Sequence, residues 1–130
     1  MTTIIDYGVG NLGSVANMLK KVGAKNVSFS NDPDEIASAS KVLLPGVGSF
    51  DQGMRKLIDL GISEAIKTLA ARDDAILMGI CLGMQLLTEG SDEGELPGLG
   101  LVPGRASLFP SQQGLKVPHM GWNDVFLEKD

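Results

Sequence analysis

Residues 75–88 read AILMGICLGMQLLT, and the cysteine at their centre is the only one among 130 residues. Ala75 to Ile80 is an apolar run of strand length, too short for most helices. Gly79-Ile80-Cys81-Leu82-Gly83 then holds the cysteine between two glycines. Leu82, Met84, Gln85 and Leu86 recur at helical spacing, so the chain is expected to turn from strand to helix at Cys81. A G-x-S-x-G elbow presents a nucleophile at the top of a sheet, its glycines relieving the crowding around a sharp turn. With cysteine at the centre, the sulfur sits at a helix N-terminus, where the dipole favours thiolate. The competing reading is a buried cysteine in an ordinary corner, since free cysteine is among the most buried residue types.

Working outward, the rest of the chain supplies strands and helices in alternation. Thr2 to Asp6 is expected as a first buried strand, followed by a helix with Leu12, Val15, Leu19 and Val22 at helical spacing and Gly23 as its stop. Asn26 to Ser30 alternates like a second strand. Asn31-Asp32-Pro33 precedes a short helix over Asp34 to Ala39. Lys41 to Leu44 forms a third strand. Phe50 to Leu60 and Ile62 to Ala71 read as two helices split by Gly61. The pattern predicts one α/β domain with a mostly parallel sheet and helices on both faces. Beyond Thr88, an acidic, glycine-rich loop (Glu89 to Gly100) leads to four candidate short strands. These are Leu99–Val102, Ala106–Phe109, Leu115–Val117 and Trp122–Leu127, read together as an antiparallel group.

Composition narrows the setting. Seventeen glycines and 5% aromatic residues point to tight loops around an aliphatic core. The formal charge of −5 leaves no basic patch for phosphate backbones, so nucleic acid is not an expected partner. A lone cysteine cannot close an internal disulfide, which suits a reducing compartment. MTTIIDYG lacks the features of a secretory signal, and no apolar run approaches the ~18 residues of a membrane span. The expected setting is a soluble cytoplasmic domain. One cysteine and one histidine supply no metal-ligand cluster, and no cofactor is implied.

Three glycine-rich loops, at Gly8, Gly46 and Gly79, follow strand ends. In parallel sheets, ligands lie beyond the carboxyl ends of the strands, so the loops should gather at one edge as a site. Pro45-Gly46-Val47-Gly48 carries no acid-base side chain but offers backbone N–H groups. Val47 N–H and Leu82 N–H are candidates to hold an oxyanion formed on Cys81, worth ~3 kcal/mol each when well placed. His119, the sole histidine, is a tempting base for Cys81, and a histidine bonded within a turn explains it equally well. Gly8-Val9-Gly10-Asn11-Leu12-Gly13 also fits the dinucleotide fingerprint, with Asp32 about 20 residues further on. That rival reading is a nicotinamide- or flavin-binding module, although the hexapeptide is common by chance in a glycine-rich chain and Asp32, followed by Pro33, reads equally as a helix cap.

Taken together, GICLGMQ (residues 79–85), PGVG (45–48), DYGVGN (6–11) and PHMGWN (118–123) resemble class I, triad-type glutamine amidotransferases, over nearly the whole chain. The resemblance implies a flavodoxin-like fold and a glutaminase in which Cys81 attacks the side-chain amide of glutamine, Val47 and Leu82 hold the oxyanion, and Gly48 and Gln85 hold the substrate. DYGVGN and PHMGWN narrow it to members that pass ammonia to a β/α-barrel cyclase subunit in histidine biosynthesis, with Asn11, Met120 and Trp122 near the face that meets the barrel. A paralogous glutaminase feeding a sugar-aminating partner would share the same chemistry. Family members are longer and carry the catalytic base and its orienting carboxylate in a His-x-Glu segment that these residues lack. His119 aligns with PHMGWN and is therefore set aside as the base. The resemblance thus implies the amino-terminal portion of a longer, single-domain enzyme, able to position Cys81 but turning over poorly alone.

Overall fold

Successive residues of a strand face opposite sides of the sheet, and in this protein both sides are apolar. In the computed structural model, which describes residues 1–110, 114, 116–126 and 128, the strands β1 (Thr2–Ile5), β2 (Val27–Ser30), β3 (Lys41–Leu44) and β4 (Ile76–Gly79) lie in the order β2-β1-β3-β4. Every neighbouring pair is parallel. Helices α1 (Leu12–Lys21) and α2 (Pro33–Ser38) each link successive strands, α3 (Phe50–Asp59) and α4 (Ile62–Ala70) together link β3 to β4, and α5 (Leu82–Leu87) follows β4. This is the flavodoxin-like α/β architecture, with elements within a residue or two of the ends read from periodicity.

The two faces are covered unequally. Ile5, Val42 and Leu44 point into the larger core, where they meet Ile36 of α2, Phe50, Met54 and Leu57 of α3, Ile62, Ile66 and Leu69 of α4, and Leu82 and Leu86 of α5. Ile4 and Leu43 point the other way, into a smaller cluster closed by Ala16, Leu12, Val15 and Leu19 of α1. That helix does not extend over β4, so Ile76 and Met78, in register with Lys41 and Leu43, stay 60% and 56% exposed. Beside them an apolar cleft of about 270 Å³ runs between Met18 of α1, Val22 just past its end, and Leu43 and Ile80.

Local chemistry sets the helix starts. The Asn11 carboxamide oxygen accepts the Ser14 N–H at 3.1 Å, and Lys20 and Lys21 occupy the last turn of α1, where the dipole favours cations. Asp32 accepts the N–H groups of Asp34 and Glu35 at 2.8 and 3.1 Å, with Pro33 in the first turn of α2. Ser49 caps α3.

The carboxyl-terminal antiparallel strands are not found among the described residues. Leu99, Leu101 and Val102 donate their N–H groups to the carbonyls of Leu86, Leu87 and Leu87, closing the end of α5 instead of pairing with one another. A helix leaves its last carbonyls without intrahelical donors, and this segment supplies them. Ala106 makes one isolated bridge, parallel, to Ser91. Val117 and residues 122–126 form no strand, while Leu115 and Leu127 lie outside the described residues. The acidic loop is held by side chains: Asp51 of α3 accepts the N–H groups of Glu95 and Leu96, each at 3.0 Å. Arg105 bonds both Asp92 and the Ser91 carbonyl.

Candidate active site

The order β2-β1-β3-β4 reverses direction between β1 and β3, and open α/β sheets bind ligands at such a switch point. The loops after β1, β3 and β4 converge there as expected. A Cβ placed on Gly10 would lie 3.7 Å from Gly46 Cα, and one on Gly46 would lie 3.0 Å from Leu82 Cβ and 3.2 Å from Gly83 N. Lys56 of α3 reaches across to the first loop, donating to the Gly8 carbonyl at 3.0 Å. Nothing in the sequence flagged that lysine.

Cys81 stands at the N-cap of α5, solvent-exposed, with φ 54° and ψ −119°. Among the described residues it alone has a positive φ without being glycine. Such a conformation costs about 1–3 kcal/mol and persists only where the surroundings impose it. The surroundings here are two very close backbone approaches. A Cβ on Gly79 would come within 2.6 Å of Met84 Cα and 2.7 Å of the Gly83 carbonyl oxygen; one on Gly83 would collide with the Leu44 carbonyl. The glycines therefore let α5 press against β3 and β4, and the turn between them pushes the Cys81 side chain outward. The buried-cysteine reading fails on this exposure.

Leu82 and Val47 differ in their side chains but agree in their amides. Leu82 buries its side chain in the core, whereas Val47 is exposed. Neither N–H group makes a hydrogen bond among the described residues. At the start of a helix an N–H has no intrahelical acceptor, so the Leu82 amide is available by construction. Tyr7, which sequence reading passed over, is buried beneath the same loops and donates its hydroxyl to the Pro45 carbonyl at 2.7 Å. Burial above all, and then the charge of nearby Cys81, hold the Tyr7 hydroxyl well above the usual phenol range.

Gly48 is exposed with φ 107°, on the same loop as Val47. Gln85 is half-buried one turn along α5 from Cys81, its N–H bonded to the Cys81 carbonyl at 3.2 Å. Asn11 is exposed and spends its carboxamide oxygen on the α1 cap. Met120 and Trp122 are among the most exposed apolar side chains described. His119 is exposed too, its ring edge-on to Phe109 with centroids 6.0 Å apart. Asp32, the acidic residue of the dinucleotide fingerprint, has its carboxylate committed to capping α2. No group of three His, Cys, Asp or Glu side chains placed to hold a metal ion occurs among the described residues, nor does any helix there have the length and apolarity to cross a membrane.

In a parallel α/β sheet, an exposed cysteine thus stands on a strained strand-to-helix elbow next to a glycine loop, and the amides of Val47 and Leu82 there make no hydrogen bond among the described residues. The family model described as glutamine amidotransferase class-I matches residues 3–129, and the chain belongs to that family. Among curated relatives, it is 47% identical over 125 residues to "Imidazole glycerol phosphate synthase subunit HisH 2" of Methanococcus maripaludis, covering 96% of this chain and 61% of the relative. The subunit HisH of Bdellovibrio bacteriovorus is also 47% identical, over 128 residues, with 96% and 62% covered. That of Gloeobacter violaceus is 47% identical over 125 residues, with 96% and 54% covered. The chain thus spans less than two thirds of the length of these relatives.

Proposed function

We propose that this chain carries the nucleophile of a glutaminase, the glutamine amidotransferase subunit of an imidazole glycerol phosphate synthase. Cys81 Sγ, as thiolate, attacks the carboxamide carbon of glutamine. The oxygen that becomes an anion accepts the N–H groups of Val47 and Leu82. The tetrahedral intermediate collapses as the C–N bond breaks and the nitrogen takes a proton, leaving a glutamyl thioester and ammonia. Water then attacks the thioester carbon, losing one proton; glutamate departs and the Cys81 thiol is restored. Gly48 and Gln85 hold the substrate. The observation that carries the reading is the exposed Cys81 at φ 54° beside two free amides, in a chain of this family.

The base that shuttles these protons comes from residues outside the 130, as a histidine oriented by a glutamate. Two observations support this: the relatives are longer, and the outer face of β4 is apolar and exposed. Asn11, Met120 and Trp122 face the ammonia-accepting cyclase, a β/α barrel, in histidine biosynthesis. A lone cysteine without an internal partner fits work in the cytoplasm. The test is glutamine hydrolysis by the full-length chain with its cognate cyclase: ammonia released with the parent and abolished in Cys81→Ala supports the reading. A Cys81→Ala variant that keeps the parental rate would refute it.

A further inference from the structure

Among the described residues, the loop between β3 and α3 has a single hydrogen-bonded anchor, and it comes from far away in sequence. Leu44 ends β3 in register with Gly79, and Ser49 opens α3. Between them, among the described residues, the run 45–48 makes only one hydrogen bond: the Pro45 carbonyl accepts the Tyr7 hydroxyl, 38 residues away, at 2.7 Å. Both partners are buried, Tyr7 being 2% exposed. The next residue is wedged rather than bonded. A Cβ on Gly46 would stand 2.5 Å from Tyr7 Oη and 3.0 Å from Leu82 Cβ, so Gly46 fills the gap between the tyrosine hydroxyl and the start of α5.

We infer that Tyr7 is a positioning residue of the glutaminase site, fixing the Pro45–Val47 backbone against the N-terminus of α5 so that the Val47 N–H meets the oxyanion. This rests on the glutaminase reading above. The tether acts on the peptide plane between Pro45 and Gly46. The Val47 N–H belongs to the following plane, separated from the first only by the two torsions of Gly46. Packing of Gly46 on Tyr7 Oη and Leu82 restricts those torsions, so the hydroxyl contributes both as donor and as wall. Its raised pKa keeps it a donor even when Cys81 is ionised, and keeps it from acting as the base. An oxyanion donor must be in place before the charge develops to be worth its full effect, and displacement by ~1 Å can cost ~100-fold in rate.

The experiment uses the full-length chain with its cyclase partner and compares glutamine hydrolysis with alkylation of Cys81 by iodoacetamide, a displacement that generates no oxyanion. In Tyr7→Phe, kcat should fall at least about 10-fold, with KM for glutamine within about threefold and the alkylation rate within about twofold. Tyr7→4-aminophenylalanine, which keeps a donor, should recover kcat to within about threefold of the parent. An unchanged kcat in Tyr7→Phe would overturn the inference, as would kcat and alkylation falling together. A folded 4-aminophenylalanine variant with no recovery would do the same. If the parent itself hydrolyses no glutamine, the glutaminase reading falls and takes this inference with it; failure confined to the variants leaves that reading standing.

Discussion

Replacing Cys81 should reveal the strain it carries. Cys81 sits at φ 54°, ψ −119°, a conformation that L side chains rarely adopt and glycine accepts without a Cβ penalty. Because Cys81 is exposed, truncation sacrifices little buried area, and Cys81→Ala is the proper reference: it keeps the Cβ and therefore the strain. Cys81→Gly relieves about 1–3 kcal/mol of backbone strain. Against this stands the extra freedom glycine gains in the unfolded chain, about 0.5–1 kcal/mol. The difference leaves Cys81→Gly more stable than Cys81→Ala by about 1 kcal/mol, or roughly 4 °C in Tm for a domain of this size. Urea unfolding of both variants, with equal m-values, measures it. A glycine variant less stable than the alanine one would refute the reasoning, since it would mean that residue 81 carries no such strain.

Three further outcomes follow from the same geometry. Gly79→Ala places a Cβ against backbone atoms of Met84 and Gly83 that cannot swing aside; a loss of about 2 kcal/mol or more in urea unfolding is expected, and a neutral result would contradict the close packing of α5 on β4. The carboxyl of Asp51 is held below the usual carboxylate range by the backbone N–H groups of Leu96 and then Glu95. The native state thus binds that proton less readily than the unfolded chain, so the stabilisation is present above the ordinary aspartate pKa of about 3.9 and is lost as pH falls through the lowered native value. Stability measured from neutral to acid pH should accordingly fall less steeply in Asp51→Asn; parallel curves would show that the Asp51 contacts do not matter. Asp32→Ala should cost about 1 kcal/mol as the loss of a helix cap, and the parent should show no saturable fluorescence change with a reduced nicotinamide dinucleotide; saturation there would revive the reading of Gly8–Gly13 as a cofactor loop.

The sheet and its helices were legible because their signals are local. Alternation in Asn26–Ser30, the Asp32-Pro33 cap and the run ending at Gly79 each decide their own conformation within a few residues. The elbow was legible for the same reason, since G-I-C-L-G specifies its turn. The strand candidates at Leu99–Val102 and Ala106–Phe109 differ from the structure because apolar residues at short spacing look alike whether they pair as strands or plug a helix end. Leu99 and Leu101 are apolar because they close α5, and their N–H groups go to helix carbonyls that no sequence pattern announces. Tyr7 and Lys56 escaped notice for a different reason. Their roles depend on contacts 38 and 48 residues away in the chain, fixed only when β1, β3 and α3 assemble.

The most direct test of the central claim is the intact mass of the full-length protein after exposure to 6-diazo-5-oxonorleucine, a glutamine-like diazoketone, in the presence of its cyclase. A single adduct that maps to Cys81 and is suppressed by glutamine is the predicted result. A cysteine that stays unmodified, or is modified at a rate indifferent to glutamine, would contradict the account.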